Sequence, residues 1–185
     1  MFSKILRSSL VLALFFVLTG VAVAQERYLL NAGDVLEVSV WNEETLQKQV
    51  IILPDGMISF PLAGQLMAQG KSVTDVQNTL KEKLTEYLSD PVVTVSVINV
   101  VGNSIHIMGK VNTPGSFVMS QRIDVMQALS LAGGLSPYAE ENNIIVLRRN
   151  GAKQQVIPVR YASIKKGRDL DSNIMLKSGD VIVVP

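Results

Sequence analysis

The sequence predicts an α+β fold made of two small modules. Three observations carry that prediction. Residues 28–38 and 174–184 are near-copies, each an apolar lead-in, a Gly-Asp turn and a β-rich run. Apolar residues alternate with period two on both sides of two segments that open with capping boxes, the mark of strands around helices. A polar break at Gly102-Asn103 separates the strongest strand pattern from a fresh one, so the chain reads as 25–102 and 103–185 after a leader at 1–24.

The first copy runs Tyr28-Leu29-Leu30-Asn31-Ala32-Gly33-Asp34-Val35-Leu36-Glu37-Val38, and the second runs Ile174-Met175-Leu176-Lys177-Ser178-Gly179-Asp180-Val181-Ile182-Val183-Val184. Glycine supplies a backbone conformation that a Cβ opposes, and Asp bonds back to nearby amides. A turn used twice is scaffolding, so Asp34 and Asp180 are expected to cap turns. Asp55 is expected to do the same in Pro54-Asp55-Gly56, where Pro fixes φ and Gly takes the positive-φ position.

In the first module, residues 35–41 alternate as a strand. Residues 50–53 form a second short strand, which the Pro54-Gly56 turn folds back onto residues 57–61 as a hairpin. Residues 62–70 look irregular. Ser72-Val73-Thr74-Asp75 has capping-box spacing, and Val73, Val76, Leu80, Leu84 and Leu88 recur at helical spacing. Asp90-Pro91 ends that helix, because proline excludes the preceding residue from the α region. Residues 91–101 are the strongest strand. The order is β-β-β-α-β.

In the second module, residues 105–109 and 111–117 read as a hairpin turned at Pro114-Gly115. Asp124 and Gln127 have capping-box spacing before a helix with Val125, Met126, Leu129 and Ala132 on one face, and Gly133-Gly134 stops it at the left-handed position. Residues 143–149 and 154–159 form a hairpin about Asn150-Gly151. Residues 180–184 close the chain. This β-β-α-β-β-β order, one short helix on a small mixed sheet, is β-grasp-like.

Residues 1–24 carry Lys4 and Arg7, an apolar run from Leu10 to Leu18 and an Ala22-Val23-Ala24 cleavage pattern, which predicts a cleaved signal peptide and a mature start at Gln25. The run is far short of the roughly 20 residues of a spanning helix. The formal charge of +1 includes Lys4 and Arg7, so the mature chain is near neutral and lacks the basic stripe of a nucleic-acid binder. With no Cys, the chain has no disulfide, no thiolate metal site and no cysteine for a lipid anchor.

No catalytic set emerges. His106 is the only His and alternates with Ile105 and Ile107, placing it opposite the core. Ser104, Ser116 and Ser120 lack a nucleophile-elbow context. Gly133-Gly134 is not a phosphate loop, because no Lys-Ser/Thr follows it. Arg148-Arg149 is either a solubilising pair on an edge strand or a reader of uronate carboxylates. Trp41 and Tyr138 either stack on sugar rings or belong to a core or subunit interface. These four residues are the candidate glycan contacts, and no cofactor is expected.

Taken together, these segments resemble the bacterial outer-membrane polysaccharide export family. The first module matches its export domain through Leu30-Asn31-Ala32-Gly33-Asp34-Val35-Leu36, Pro54-Asp55-Gly56-Met57-Ile58, Phe60-Pro61-Leu62, Gly64 and Asp90-Pro91-Val92-Val93. The second is similar to a soluble-ligand-binding β-grasp domain through Val111-Asn112-Thr113-Pro114-Gly115-Ser116-Phe117, Ala128 to Leu135 and Gly179-Asp180-Val181-Ile182-Val183-Val184-Pro185. The resemblance implies a non-enzymatic periplasmic component, associated with the outer membrane, that forms a homo-oligomeric ring around an exported polysaccharide. Its implied partners are an inner-membrane polysaccharide co-polymerase and an outer-membrane β-barrel porin, with no nucleic acid. The sequence stops at Pro185 without the family's C-terminal pore helix, so a short form relying on a separate barrel is expected. A stand-alone periplasmic glycan-binding module is the alternative.

Overall fold

The structure is a computed structural model and describes residues 27–151 and 153–185. The leader assigned to residues 1–24 lies outside the described residues. Two hydrophobic cores form, one from residues between Leu30 and Val95 and the other from residues between Ile105 and Val184.

In the first unit, β1 (Val35–Val40) lies between β2 (Glu43–Ile51) and β5 (Val93–Asn99), antiparallel to both. Leu36, Val38 and Val40 of β1 are buried, as period-two alternation demands. A separate ribbon pairs β3 (Met57–Phe60) with β4 (Gly64–Met67). Helix α1 (Val73–Leu84) buries Val76, Leu80 and Leu84 against this core. Its predicted capping box is present: the Ser72 side chain accepts from the Asp75 amide and the Asp75 side chain from the Ser72 amide.

Four expectations for this unit need correction. The second strand starts at Glu43, not at residue 50, because β2 is an edge strand in which only Leu46 is buried, so its sequence carries little apolar signal. The Pro54-Asp55-Gly56 turn forms, with the Gly56 amide on Leu53 O at 2.8 Å and the Leu53 amide on Met57 O at 2.9 Å, but beyond that closing bond β3 pairs with β4 rather than with residues 50–52. Residues 64–67 are therefore a strand, which makes the order β-β-β-β-α-β. The helix ends at Leu84, where Thr85 Oγ1 donates to Glu82 O, well before Asp90 turns left-handed ahead of Pro91.

In the second unit, β6 (Ser104–Gly109) pairs with β7 (Gly115–Val118), and β8 (Ile144–Asn150) pairs with β9 (Lys153–Val159). The last strand, β10 (Val181–Val184), inserts between the hairpins, parallel to β6 and antiparallel to β8, giving the order β7-β6-β10-β8-β9. Helix α2 (Val125–Leu131) carries the predicted box of Asp124 and Gln127 and buries Val125, Ala128 and Leu129. Gly133 and Gly134 take φ of 73° and 84° at its end. A short α3 (Tyr161–Lys165) and a 3-10 turn (Leu170–Ser172) were not expected. Ile164 is the only buried residue of α3, which hangs on a Tyr161 amide bond to Glu141 O and a Lys165–Glu141 ion pair at 3.2 Å. Such tertiary support leaves no sequence period.

Candidate functional site: an aromatic groove and two buried turns

The β1–β2 hairpin turns at Trp41-Asn42, where Asn42 takes φ of 63°, a conformation Asn tolerates better than most residues. The Trp41 amide donates to Val92 O at 2.9 Å, which ties the hairpin tip to the start of β5. The indole is thereby held outside the core and is 81% exposed. It borders an open groove of about 470 Å³ whose walls include Ser39, Thr94, Gln47, Glu43 and Glu44. A fully exposed indole is unusual, since its ring gains from leaving water. The groove beside the ring is lined by hydroxyl, amide and carboxylate groups together with Val40 and Val92.

Tyr138 is 82% exposed in the loop after α2 and is not part of that groove's wall. A second, smaller depression of about 290 Å³ lies between β7 and α2, bordered by Val118, Gln121, Gln127 and Leu131. Trp41 and Tyr138 thus stand on different units.

The two Gly-Asp turns have one backbone geometry. Asp34 N donates to Asn31 O and Asn31 N donates to the Asp34 carboxylate at 2.8 Å; Asp180 N donates to Lys177 O and Lys177 N donates to the Asp180 carboxylate at 2.8 Å. Gly33 and Gly179 take φ of 95° and 82°. Both acids are buried, which the sequence reading of simple turn caps did not foresee. Asp34 also accepts from the Tyr28 hydroxyl at 2.6 Å and from the Gly102 amide at 3.0 Å. Burial, reinforced by the Asp34 hydrogen bond, pushes the Tyr28 phenol well above its ordinary range.

Asp180 is met instead by Arg148, whose Nε and Nη2 donate to its two oxygens at 2.9 and 2.6 Å while Nη2 also donates to Met175 O. Hydrogen bonding to Asp180 raises the guanidinium pKa further, against the opposing effect of burial. This corrects both readings of Arg148. Strand β8 is interior to its sheet, because β9 lies outside it, so Arg148 is no edge charge. Its parity with buried Ile144 and Val146 turns the side chain inward, and its fork is committed to Asp180 rather than open to a glycan. Arg149 faces the other way and is exposed.

Gly102 joins the two turns. Its amide binds Asp34, and its carbonyl accepts from Ser178 Oγ of the second turn at 2.8 Å. A Cβ there would strike the Ala32 carbonyl, so this position needs glycine for close approach and not for φ. The Asn112 side chain likewise donates to Gly133 O at 2.6 Å, so the segment leading into Pro114-Gly115 covers the end of α2. His106 is exposed, opposite buried Ile105 and Ile107. Among the described residues, no three His, Asp or Glu side chains converge as a metal site, and no helix is long and apolar enough to cross a membrane, which says nothing of a β-barrel.

Residues 22–98 match the polysaccharide biosynthesis/export protein family, and residues 103–184 match the SLBB domain. The chain thus carries a polysaccharide export domain followed by an SLBB domain. The chain is 28% identical to the EPS I polysaccharide export outer membrane protein EpsA of Ralstonia nicotianae, over 85% of this chain and 47% of that protein. It is 21% identical to the capsule polysaccharide export outer membrane protein CtrA of Neisseria meningitidis, over 84% of this chain and 43% of that protein. It is 27% identical to the polysialic acid transport protein KpsD of Escherichia coli, over 70% of this chain and 24% of that protein. The chain therefore spans less than half the length of these relatives. The residues at the matched turns (Gly33, Asp34, Pro54, Asp55, Gly56, Pro114, Gly115, Gly133, Gly134, Gly179 and Asp180) lie in turns or at element ends.

Proposed function

We propose that this protein is a periplasmic component of an exopolysaccharide or capsule export apparatus. In this reading identical subunits close into a ring around the polymer. An inner-membrane co-polymerase delivers the chain, and a separate outer-membrane β-barrel carries it across. The observation that supports the reading most is the ordered pair of family domains over residues 22–98 and 103–184, the arrangement shared with relatives named for polysaccharide export. The two cores, stitched at Gly102 by both buried turns, fit a rigid building block better than a mobile catalyst. A ring of such blocks has cyclic symmetry with one repeated interface. Weak, polar contacts suit its lumen, since a tightly held polymer would stall.

Deleting the gene and measuring surface glycan tests the role: export falls sharply if the reading holds, and unchanged glycan overturns it. Cross-linking in intact cells tests the ring, with a closed ladder of homo-oligomers as the expected result. Conductance by the purified protein alone in a planar bilayer would remove the need for a separate barrel.

A further inference from the structure

We propose that the Trp41 groove is a glycan subsite selective for polymer that carries no acidic groups, whether neutral or amino-bearing. This deepens the export reading above and rests on it. The ring of Trp41 offers an open apolar face that stacks on the hydrogen-bearing face of a pyranose, and the backbone that carries it is anchored by the Trp41 amide bond to Val92 O. Ser39, Thr94 and Gln47 on the adjoining strands supply neutral donors and acceptors for sugar hydroxyls. Among the described residues, Glu43 and Glu44 supply the only charges in the wall, and no Lys or Arg lines it. A carboxylate accepts hydrogen bonds from sugar hydroxyls or from an ammonium group, but it repels a uronate, sulfate or phosphate. KpsD, by contrast, is named for an acidic polymer, polysialic acid.

Trp41 is the only tryptophan in the chain, so its fluorescence reports this groove directly. The mature protein is titrated with cellohexaose, chitosan hexamer and hexagalacturonate, with calorimetry as a second readout. Cellohexaose and chitosan hexamer are expected to shift the emission, and hexagalacturonate to bind roughly tenfold more weakly at about 50 mM salt, the scale of two like-charge contacts in water. Raising salt to about 500 mM should narrow that gap, and the paired change Glu43→Gln with Glu44→Gln should largely close it at low salt. Trp41→Ala should abolish the calorimetric signal while leaving the unfolding midpoint unchanged, because the side chain is exposed. Binding of hexagalacturonate as tight as that of the neutral hexamer overturns the selectivity. Absence of binding by all three oligomers overturns the subsite itself. The export role is tested separately: surface glycan lost on deletion of the gene but restored by the Trp41→Ala protein sinks the groove and leaves that role standing.

Discussion

The turns at Gly33-Asp34 and Gly179-Asp180 share a backbone and differ in what faces the buried acid. At the first, the partners are a phenol and the amide of Gly102, both uncharged. At the second, the partner is a guanidinium bound through two parallel bonds. The local sequence specifies the loop in both cases, and a residue distant in sequence specifies the electrostatics. Arg148 is 32 positions from Asp180 and Gly102 is 68 positions from Asp34, so one short motif serves two different structural tasks. The first turn anchors the junction between units, and the second locks the closing strand to the middle of its sheet.

Breaking the charged pair should give the largest effect. Arg148→Ala leaves Asp180, 1% exposed, without its cation, and the expected cost is about 3–5 kcal/mol in a urea titration followed by circular dichroism. Arg148→Met with Asp180→Asn should recover part of that loss, since the stranded charge is gone. A cost below about 1 kcal/mol for the single change would mean that the pair contributes no more than a surface bridge.

Next comes the junction. Gly102→Ala forces a Cβ into the Ala32 carbonyl and displaces the Asp34 bond, for a loss of about 2–3 kcal/mol. Gly134→Ala is the matched control, because its φ is 84° but no atom lies within 4 Å of the added Cβ, and it should cost only about 1–2 kcal/mol. Equal losses at the two positions would contradict the steric account.

Tyr28→Phe should cost about 1–2 kcal/mol by removing a half-buried hydrogen bond to the buried Asp34 carboxylate. The pH response then separates the turns. The folded phenol pKa is raised above its unfolded value, so its contribution is complete below about pH 10 and is lost as pH rises from there toward the folded value. Tyr28→Phe should flatten that alkaline decline, whereas Arg148→Met with Asp180→Asn should leave it in place.

The smallest effects belong to the helix caps. Ser72→Ala should lower stability by about 1 kcal/mol. Hydrogen bonds from Ser72 hold the Asp75 carboxyl below the usual carboxylate range, so its contribution is present at neutral pH and is lost as pH falls through the depressed folded value. Ser72→Ala should reduce that acid sensitivity.

Much of this architecture is legible in the sequence because it is local. Both capping boxes, the left-handed glycines after α2, the Asn150-Gly151 hairpin and the Gly-Asp turns involve neighbours within a few positions. Strand β2 escaped because an edge strand with one buried residue has no apolar period, and β4 escaped because Leu66 is its sole buried side chain. The exposure of Trp41 was also out of reach: a tryptophan at a strand end is compatible with core or surface until the hairpin's packing is known.

The chain by itself determines where the two capped helices begin, which faces of the apolar-patterned strands are buried and where the backbone turns, since hydrogen bonds and steric limits between near neighbours set these. Tertiary structure alone decided that β10 enters between β6 and β8, that Arg148 turns inward to Asp180, and that Gly102 is held from both sides. Those outcomes depend on which distant surfaces meet once the apolar faces are buried, and no period or motif along the chain records such meetings.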